Sequence, residues 1–404
     1  MTESREPAPA KADEPQEQEP LIRPPGASNT RSGHASRLEL FFDLAYVLVV
    51  MELAGELVHD MSWHGVGVFV GLFGATWFSW VGFTLHANRF DTDDVVFRCS
   101  KLLATMTIAG CAAGASGATG KLAVPFAASY LAGLLVLLLM YARAWRHVPD
   151  ARPTVNVYLV ATAANAALWA TSIATPGTTR YLLWAVGVLV GACAPLAATA
   201  RRHELPLHIE HLPERFALFI ILVLGETVGG AVAGLHDAAW TSAAVLLAMA
   251  GFLLAAAMWW IYFDLTETRS TNELRDEDES SQGVADGRHD AFIYAHLPLA
   301  LGVVLTGVAI DDLILHPSQR FPNGPGWLLA GGICLFLAGA ALVIGGTSRS
   351  WTLVGRWAVT AVPVIILAAL PQASSLALLL ACGALVGAVA TYGTRKRRSN
   401  STFA

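Results

Sequence analysis

Apolar stretches, each about as long as a membrane is thick, constrain this 404-residue chain more than any other feature. A helix needs about 20 mostly apolar residues to cross ~30 Å of hydrocarbon, and in lipid only helices and closed barrels satisfy their backbone. Twelve stretches qualify, near 38–58, 64–86, 96–115, 122–142, 154–174, 180–200, 212–234, 239–263, 290–310, 326–346, 352–371 and 374–393. Only 14% of residues are charged, against roughly 25% in a soluble protein, and much of that charge sits in 1–37 and 264–290. A soluble multidomain enzyme is excluded. So is a nucleic-acid binder, because the net charge is −5 and no basic face exists. The expectation is an all-α membrane protein of about twelve transmembrane helices, with the lipid bilayer as its first partner.

The ends and loops set the organisation. Residues 1–36 are acidic and Pro-rich, neither signal nor transit peptide, and are expected to be a disordered tail. Arg residues gather on alternate connections (Arg89 and Arg98, Arg143 and Arg146, Arg201 and Arg202, Arg349) and in the basic tail 394–404. By the positive-inside rule both termini are then cytoplasmic. The acidic stretch 265–289 reads as a solvated cytoplasmic loop. The five cysteines show no CxxC pair or metal-ligand spacing, so no metal or cofactor is expected.

An internal echo divides the chain. Leu38-Glu39-Leu40-Phe41-Phe42-Asp43 opens the first stretch and Pro213-Glu214-Arg215-Phe216-Ala217-Leu218 the seventh, each followed by a deeper glutamate, Glu52 or Glu226. Trp80-Val81-Gly82-Phe83 ends the second as Trp260-Ile261-Tyr262-Phe263 ends the eighth. This suggests two parallel six-helix repeats, 37–210 and 211–393, related by an axis along the membrane normal.

The same residues carry a resemblance. Glu39-Leu-Phe-Phe-Asp43, Asn88-Arg89-Phe90-Asp91-Thr92-Asp93-Asp94, His211-Leu-Pro-Glu-Arg-Phe216, Leu224-Gly225-Glu226 and Tyr294-x-His296-Leu-Pro298 resemble signatures of the bacterial low-temperature-requirement A family, over about 36–390. The resemblance implies a multi-helix protein of the bacterial cytoplasmic (inner) membrane, in a family named for a cold-growth phenotype. It implies no molecular activity, and in the last two helices it is only hydropathy.

Charges inside apolar stretches cost roughly 2.5–3.5 kcal/mol each, so they are the candidate site. Counted by depth, Glu52 and Glu226 lie at similar levels and are expected to face one another near the repeat axis. Glu56 lies one turn beyond Glu52. Glu39, Asp43, Glu214 and Arg215 fall in the first turns of their helices. Capping competes with a site role for Glu39 and Glu214. Asp43 or Glu39 is the expected partner of Arg215. His296 reads either as a proton relay or as a core histidine bonded to a backbone carbonyl. The acidic loop 91–94 could cap the third helix, pair with Arg98 or hold a cation. The tract His203, Glu204, His208, Glu210, His211 is broken by Pro206 and reads as an interfacial linker.

Two functions stay open. One is a proton-coupled secondary transporter of a small solute or lipid-like molecule, working through Glu226 and Glu52. The alternative is an intramembrane enzyme acting on an isoprenoid or lipid by acid catalysis. A third possibility, an accessory subunit, would tolerate loss of both glutamates. The sequence does not fix the oligomeric state.

Overall fold

The computed structural model describes residues 21–27, 36–91, 94–200, 211–267, 270–272, 287–317, 324–348, 362, 364–366, 369 and 375–401. Eleven long helices account for most of them: α1 (Arg37–His59), α2 (Trp63–Arg89), α3 (Val95–Ala115), α4 (Ala123–His147), α5 (Arg152–Ala174), α6 (Thr178–Ala200), α7 (His211–Asp237), α8 (Ser242–Trp260), α9 (Arg288–Leu315), α10 (Gly324–Ser348) and α11 (Ser375–Ser401). Local chemistry sets several starts. Ser36 forms a capping box with Glu39, and Ser62, Asp94 and Thr241 each accept from an amide in the first turn of α2, α3 and α8.

Nine helices among the described residues are long and apolar enough to cross a membrane. α1 is not one of the nine, and it carries Glu39, Asp43, Glu52 and Glu56. α11 has an apolar core of only Leu379–Ala388, and its helix runs on into the basic tail as far as Ser401. The expected span 352–371 lies almost wholly outside the described residues, as do the tract 203–210 and most of the loop 265–289. That loop also begins later than expected, because a π-helical segment, Ile261–Glu267, carries α8 onward.

α9 is the central helix: 83% of its most apolar window is buried, against 33% for α6. Small residues let its neighbours close on it. A Cβ on Gly302 would lie 2.3 Å from the Phe336 amide nitrogen of α10, and one on Gly339 2.4 Å from that of Leu299. Across the other seam, a Cβ on Gly307 would meet Thr227 of α7 at 3.0 Å. Without a hydrophobic drive between helices in lipid, such backbone approach is what gives dispersion its grip. α1 packs chiefly on α3 and also touches α2, α7 and α9, while α7 packs chiefly on α9 and also on α8.

The expected disordered tail needs a correction over 21–27. Gly26–Ala27 pairs antiparallel with Phe90–Asp91 beyond the end of α2, and Val95 donates to the Leu21 carbonyl. The cause is the loop 91–94. Asp94 caps α3 and also accepts from the Arg23 amide and from Arg143, whose guanidinium reaches the Arg23 carbonyl at 2.6 Å.

Candidate functional site

The site is built where α1 meets α7. Glu39 and Asp43 are one turn apart on α1 and therefore share a face. Arg215, in the first turns of α7, reaches both: Nη1 lies 2.7 Å from Glu39 Oε1 and Nη2 2.5 Å from Asp43 Oδ1. All three side chains are at most 2% exposed. Glu39 fills both roles open to it, because its Oε2 accepts the Ser36 amide at 2.9 Å while Oε1 faces the guanidinium. Asp43 Oδ1 takes a second donor, the Trp80 indole of α2, at 2.8 Å.

A second cation stands close by. Lys101 of α3 is fully buried, its ammonium 4.0 Å from the centre of the Phe42 ring and within 6 Å of those of Phe83 and Phe97. Ring faces attract a cation but accept no ordinary hydrogen bond. Among the described residues neither Lys101 Nζ nor Asp43 Oδ2 has a hydrogen-bond partner. Two carboxylates, a guanidinium and an ammonium thus balance in formal charge, and Arg215 Nε, like Lys101 Nζ and Asp43 Oδ2, has no hydrogen-bond partner among the described residues.

Aromatic rings wall the cluster from the rest of α7. Trp80 packs on Phe216 and Phe219 at 4.9 and 4.6 Å between centroids. Phe216 in turn meets the edge of His296. Of the two readings of His296, the structure places it in the core: it is fully buried with Nδ1 2.7 Å from the Phe292 carbonyl. A carbonyl only accepts, so Nδ1 carries the proton and Nε2 accepts from the Tyr262 hydroxyl, 3.1 Å away on the π-helical segment. π-helical turns often occur at functional positions.

The expected pair Glu52–Glu226 is not formed. Glu52 is exposed, and so is Glu56. Helical angle explains it: Glu52 follows Asp43 by nine residues, two and a half turns, and so lies about 180° round α1 from the buried pair. Glu226 is half-buried, within electrostatic reach of Asp311 on α9. It follows Arg215 by eleven residues, about three full turns, and shares its face. Glu214 is half-buried beside Arg215 in sequence.

Trp80, Lys101, Tyr262 and Asp311 are not among the candidate site residues read from the sequence. Lys101 leaves a readable signal, a charge inside an apolar stretch, and Asp311 with Asp312 leaves one just past the expected end of the ninth stretch. Trp80 and Tyr262 fall in the echo of helix ends, but nothing there marks them as hydrogen-bond donors, since aromatic residues in such helices are ordinary packing.

The chain is similar to known bacterial proteins. It is 29% identical over 323 residues to the uncharacterized protein RA0937 of Rhizobium meliloti (strain 1021), which covers 77% of each chain. No solved structure matches it. The model of the family described as bacterial low temperature requirement A protein (LtrA) matches residues 34–392, nearly the whole chain. The buried Glu39–Asp43–Arg215 cluster is therefore a feature of a multi-pass membrane protein that belongs to the bacterial low temperature requirement A family.

Proposed function

We propose that this chain is a proton-coupled secondary transporter of the bacterial inner membrane, moving a small solute or lipid-like molecule, and that the cluster of Glu39, Asp43 and Arg215 latches its two halves at the cytoplasmic side. The observation that carries the reading is the guanidinium of α7 buried between two carboxylates of α1. Charges at membrane depth are costly to keep, and they mark ion and proton pathways more often than packing.

The packing supports two parallel halves. The contacts α1 with α2, α1 with α3, α3 with α4 and α2 with α6 have counterparts in α7 with α8, α7 with α9, α9 with α10 and α8 with α11. A latch between such halves opens when one anion is neutralised. A proton on Asp43 removes one of the two charges that hold Arg215 and leaves Lys101 as the surplus cation. α7 also carries Glu226 on the Arg215 face, about 16 Å further along at 1.5 Å per residue. With Asp311 it offers a second proton-binding pair.

Reconstituted vesicles under an imposed pH gradient test the reading. Asp43→Asn keeps the shape and removes the titrating group. Gradient-driven solute flux is expected to fall at least about tenfold, while gradient-free exchange survives. Glu226→Gln is expected to lower the driven flux in the same direction. Unchanged driven flux in folded Asp43→Asn, with only a lower melting temperature, would reduce the cluster to a static tie.

A further inference from the structure

A second polar interior lies away from the charges, between α2, α4, α5 and α6. α5 turns Thr154, Tyr158, Thr162, Asn165, Trp169 and Ser172 inward, all less than a tenth exposed. Intervals of three and four residues place them on one face, and Tyr158 to Ser172 spans about 21 Å, most of the hydrocarbon thickness. Beside the middle of this stripe is a void of about 30 Å³, lined by Ser79, Tyr130, Tyr141, Thr162, Asn165 and apolar neighbours, with no charged side chain. It has room for about two waters in this conformation.

Two buried polar atoms of the stripe are unspent. Tyr130 gives its proton to the Ala75 carbonyl at 3.0 Å, so towards Asn165 it can only accept. The Asn165 amide NH₂ therefore faces Tyr130, and its Oδ1 faces away with no hydrogen-bond partner among the described residues. Trp169 Nε1 also has none, although the indole is fully buried and stacked between Tyr130 and Trp184. α6 closes on both orphans at its glycines, and of the two residues only Asn165 also lines the void. A Cβ on Gly187 would stand 2.5 Å from Asn165 Oδ1 and 3.0 Å from Trp169 Nε1, and one on Gly191 3.0 Å from Asn165 Nδ2. Pro195, one turn beyond Gly191, has no N–H to donate to the Gly191 carbonyl, and both residues line the void. Each unmade bond costs free energy in a water-free interior, so the acceptors of Asn165 and Gly191 left open at the void need a donor from an occupant.

We infer that this pocket is a binding site for a small uncharged molecule of about two to four heavy atoms that both donates and accepts hydrogen bonds, an amide or a hydroxyl compound. The Asn165 oxygen and the Gly191 carbonyl ask for donors, and the Thr162 hydroxyl at the void can give its proton to an acceptor. An ion would leave its charge unpaired among neutral groups, which the interior does not tolerate. Binding stands apart from the latch; if the transport reading also holds, the pocket names the substrate class.

Vesicles carrying the full chain test it by stopped-flow light scattering, with and without a pH gradient. Formamide, urea and acetamide are the neutral probes, and acetate and methylammonium the charged counterparts. At least one neutral probe is expected to cross several times faster than in protein-free vesicles. The protein-dependent rate should fall about tenfold, the size of one lost hydrogen bond, in Asn165→Leu and Gly191→Val. Thr162→Val removes only the hydroxyl, keeps the shape, and is expected to show the same loss if the bulkier variants do not fold. Protein-dependent flux confined to charged probes would overturn the pocket and leave the transporter standing. No flux of any neutral probe, or wild-type neutral flux in folded Thr162→Val, would overturn the pocket too. Neutral flux indifferent to the gradient would keep the pocket and remove proton coupling.

Discussion

The α1–α7 cluster and the α5–α6 pocket are equally buried, yet they handle polarity in opposite ways. The first holds formal charges and spends nearly all of them on one another, with carboxylate–guanidinium distances of 2.5 and 2.7 Å. The second holds no charge and leaves a donor and an acceptor unmade. The difference follows from cost. An unpaired charge in a low-dielectric interior carries a penalty of several kcal/mol, so evolution cannot leave one open without moving another to meet it. A neutral amide or indole left unbonded costs about 1–3 kcal/mol, little enough to keep in reserve for a ligand. The cluster is therefore where structure and switching are coupled, and the pocket is where something can come and go.

Removing Arg215 should break the comparison most forcefully. Arg215→Met leaves two buried carboxylates facing one another, and such a loss destabilises by about 3–5 kcal/mol. Thermal unfolding in detergent should show the largest drop of any single change considered. Pairing it with Asp43→Asn and Glu39→Gln should return most of the loss, because neutral amides can be satisfied where orphaned anions cannot. Asn165→Leu, equally buried, should cost only about 1 kcal/mol, the one neutral bond its NH₂ gives to Tyr130, since its oxygen has no protein bond to lose. Comparable losses at Asn165 and Arg215 would mean that the pocket, too, is structural.

The charged region was the readable one. Glu39, Asp43 and Arg215 stand out as charges at the heads of apolar runs, and the expected pairing of Arg215 with Asp43 or Glu39 is present with both at once. Glu52 shows where reading by depth alone fails. Its level in the membrane matches Glu226, but its angle places it opposite Asp43, and a helix cannot bury both faces equally. The pocket was not legible, because Asn, Thr, Trp and Gly are unremarkable in membrane helices. Only the approach of α5 and α6 shows that Gly187 stands in front of Asn165 and Trp169.

A third contact, α9 against α10, sets the scale for packing at glycine contacts. The Gly339 position leaves 2.4 Å to the Leu299 amide nitrogen, closer than any real Cβ stands. Gly339→Val must push two backbones apart and should cost at least about 1–3 kcal/mol. That is less than Arg215→Met and more than Asn165→Leu. A melting temperature unchanged by Gly339→Val would show that α10 is free to move away from α9, and would shift the rigid core elsewhere.

The smallest effect belongs to the same chemistry placed outside the membrane span. Asp94 and Arg143 pair at 2.6 Å and Asp43 and Arg215 at 2.5 Å, but the Arg143 side chain is 20% exposed against 1% for Arg215. Burial pushes the Asp94 carboxyl up, but bonds from Arg143 and from the Phe97 and Arg23 amides outweigh it and hold the carboxyl below its ordinary value. A carboxyl lowered by folding stabilises fully above its unfolded pKa, about 4, and that contribution is lost as pH falls through the lower folded value. Solvent screening keeps the pair to about 1 kcal/mol or less, near fivefold in local opening. Asp94→Asn keeps a good N-cap for α3, so the helix should survive and only the 21–27 strap should loosen. Hydrogen exchange at the Arg23 and Val95 amides should then rise about fivefold at pH 7 in Asp94→Asn, and in the wild type below about pH 4 after correction for intrinsic rates. If both amides stay protected in each case, the strap is held by its pairing with Phe90–Asp91 and not by charge. The contrast between buried and rim carboxylate–arginine pairs would then be wider than their similar distances suggest.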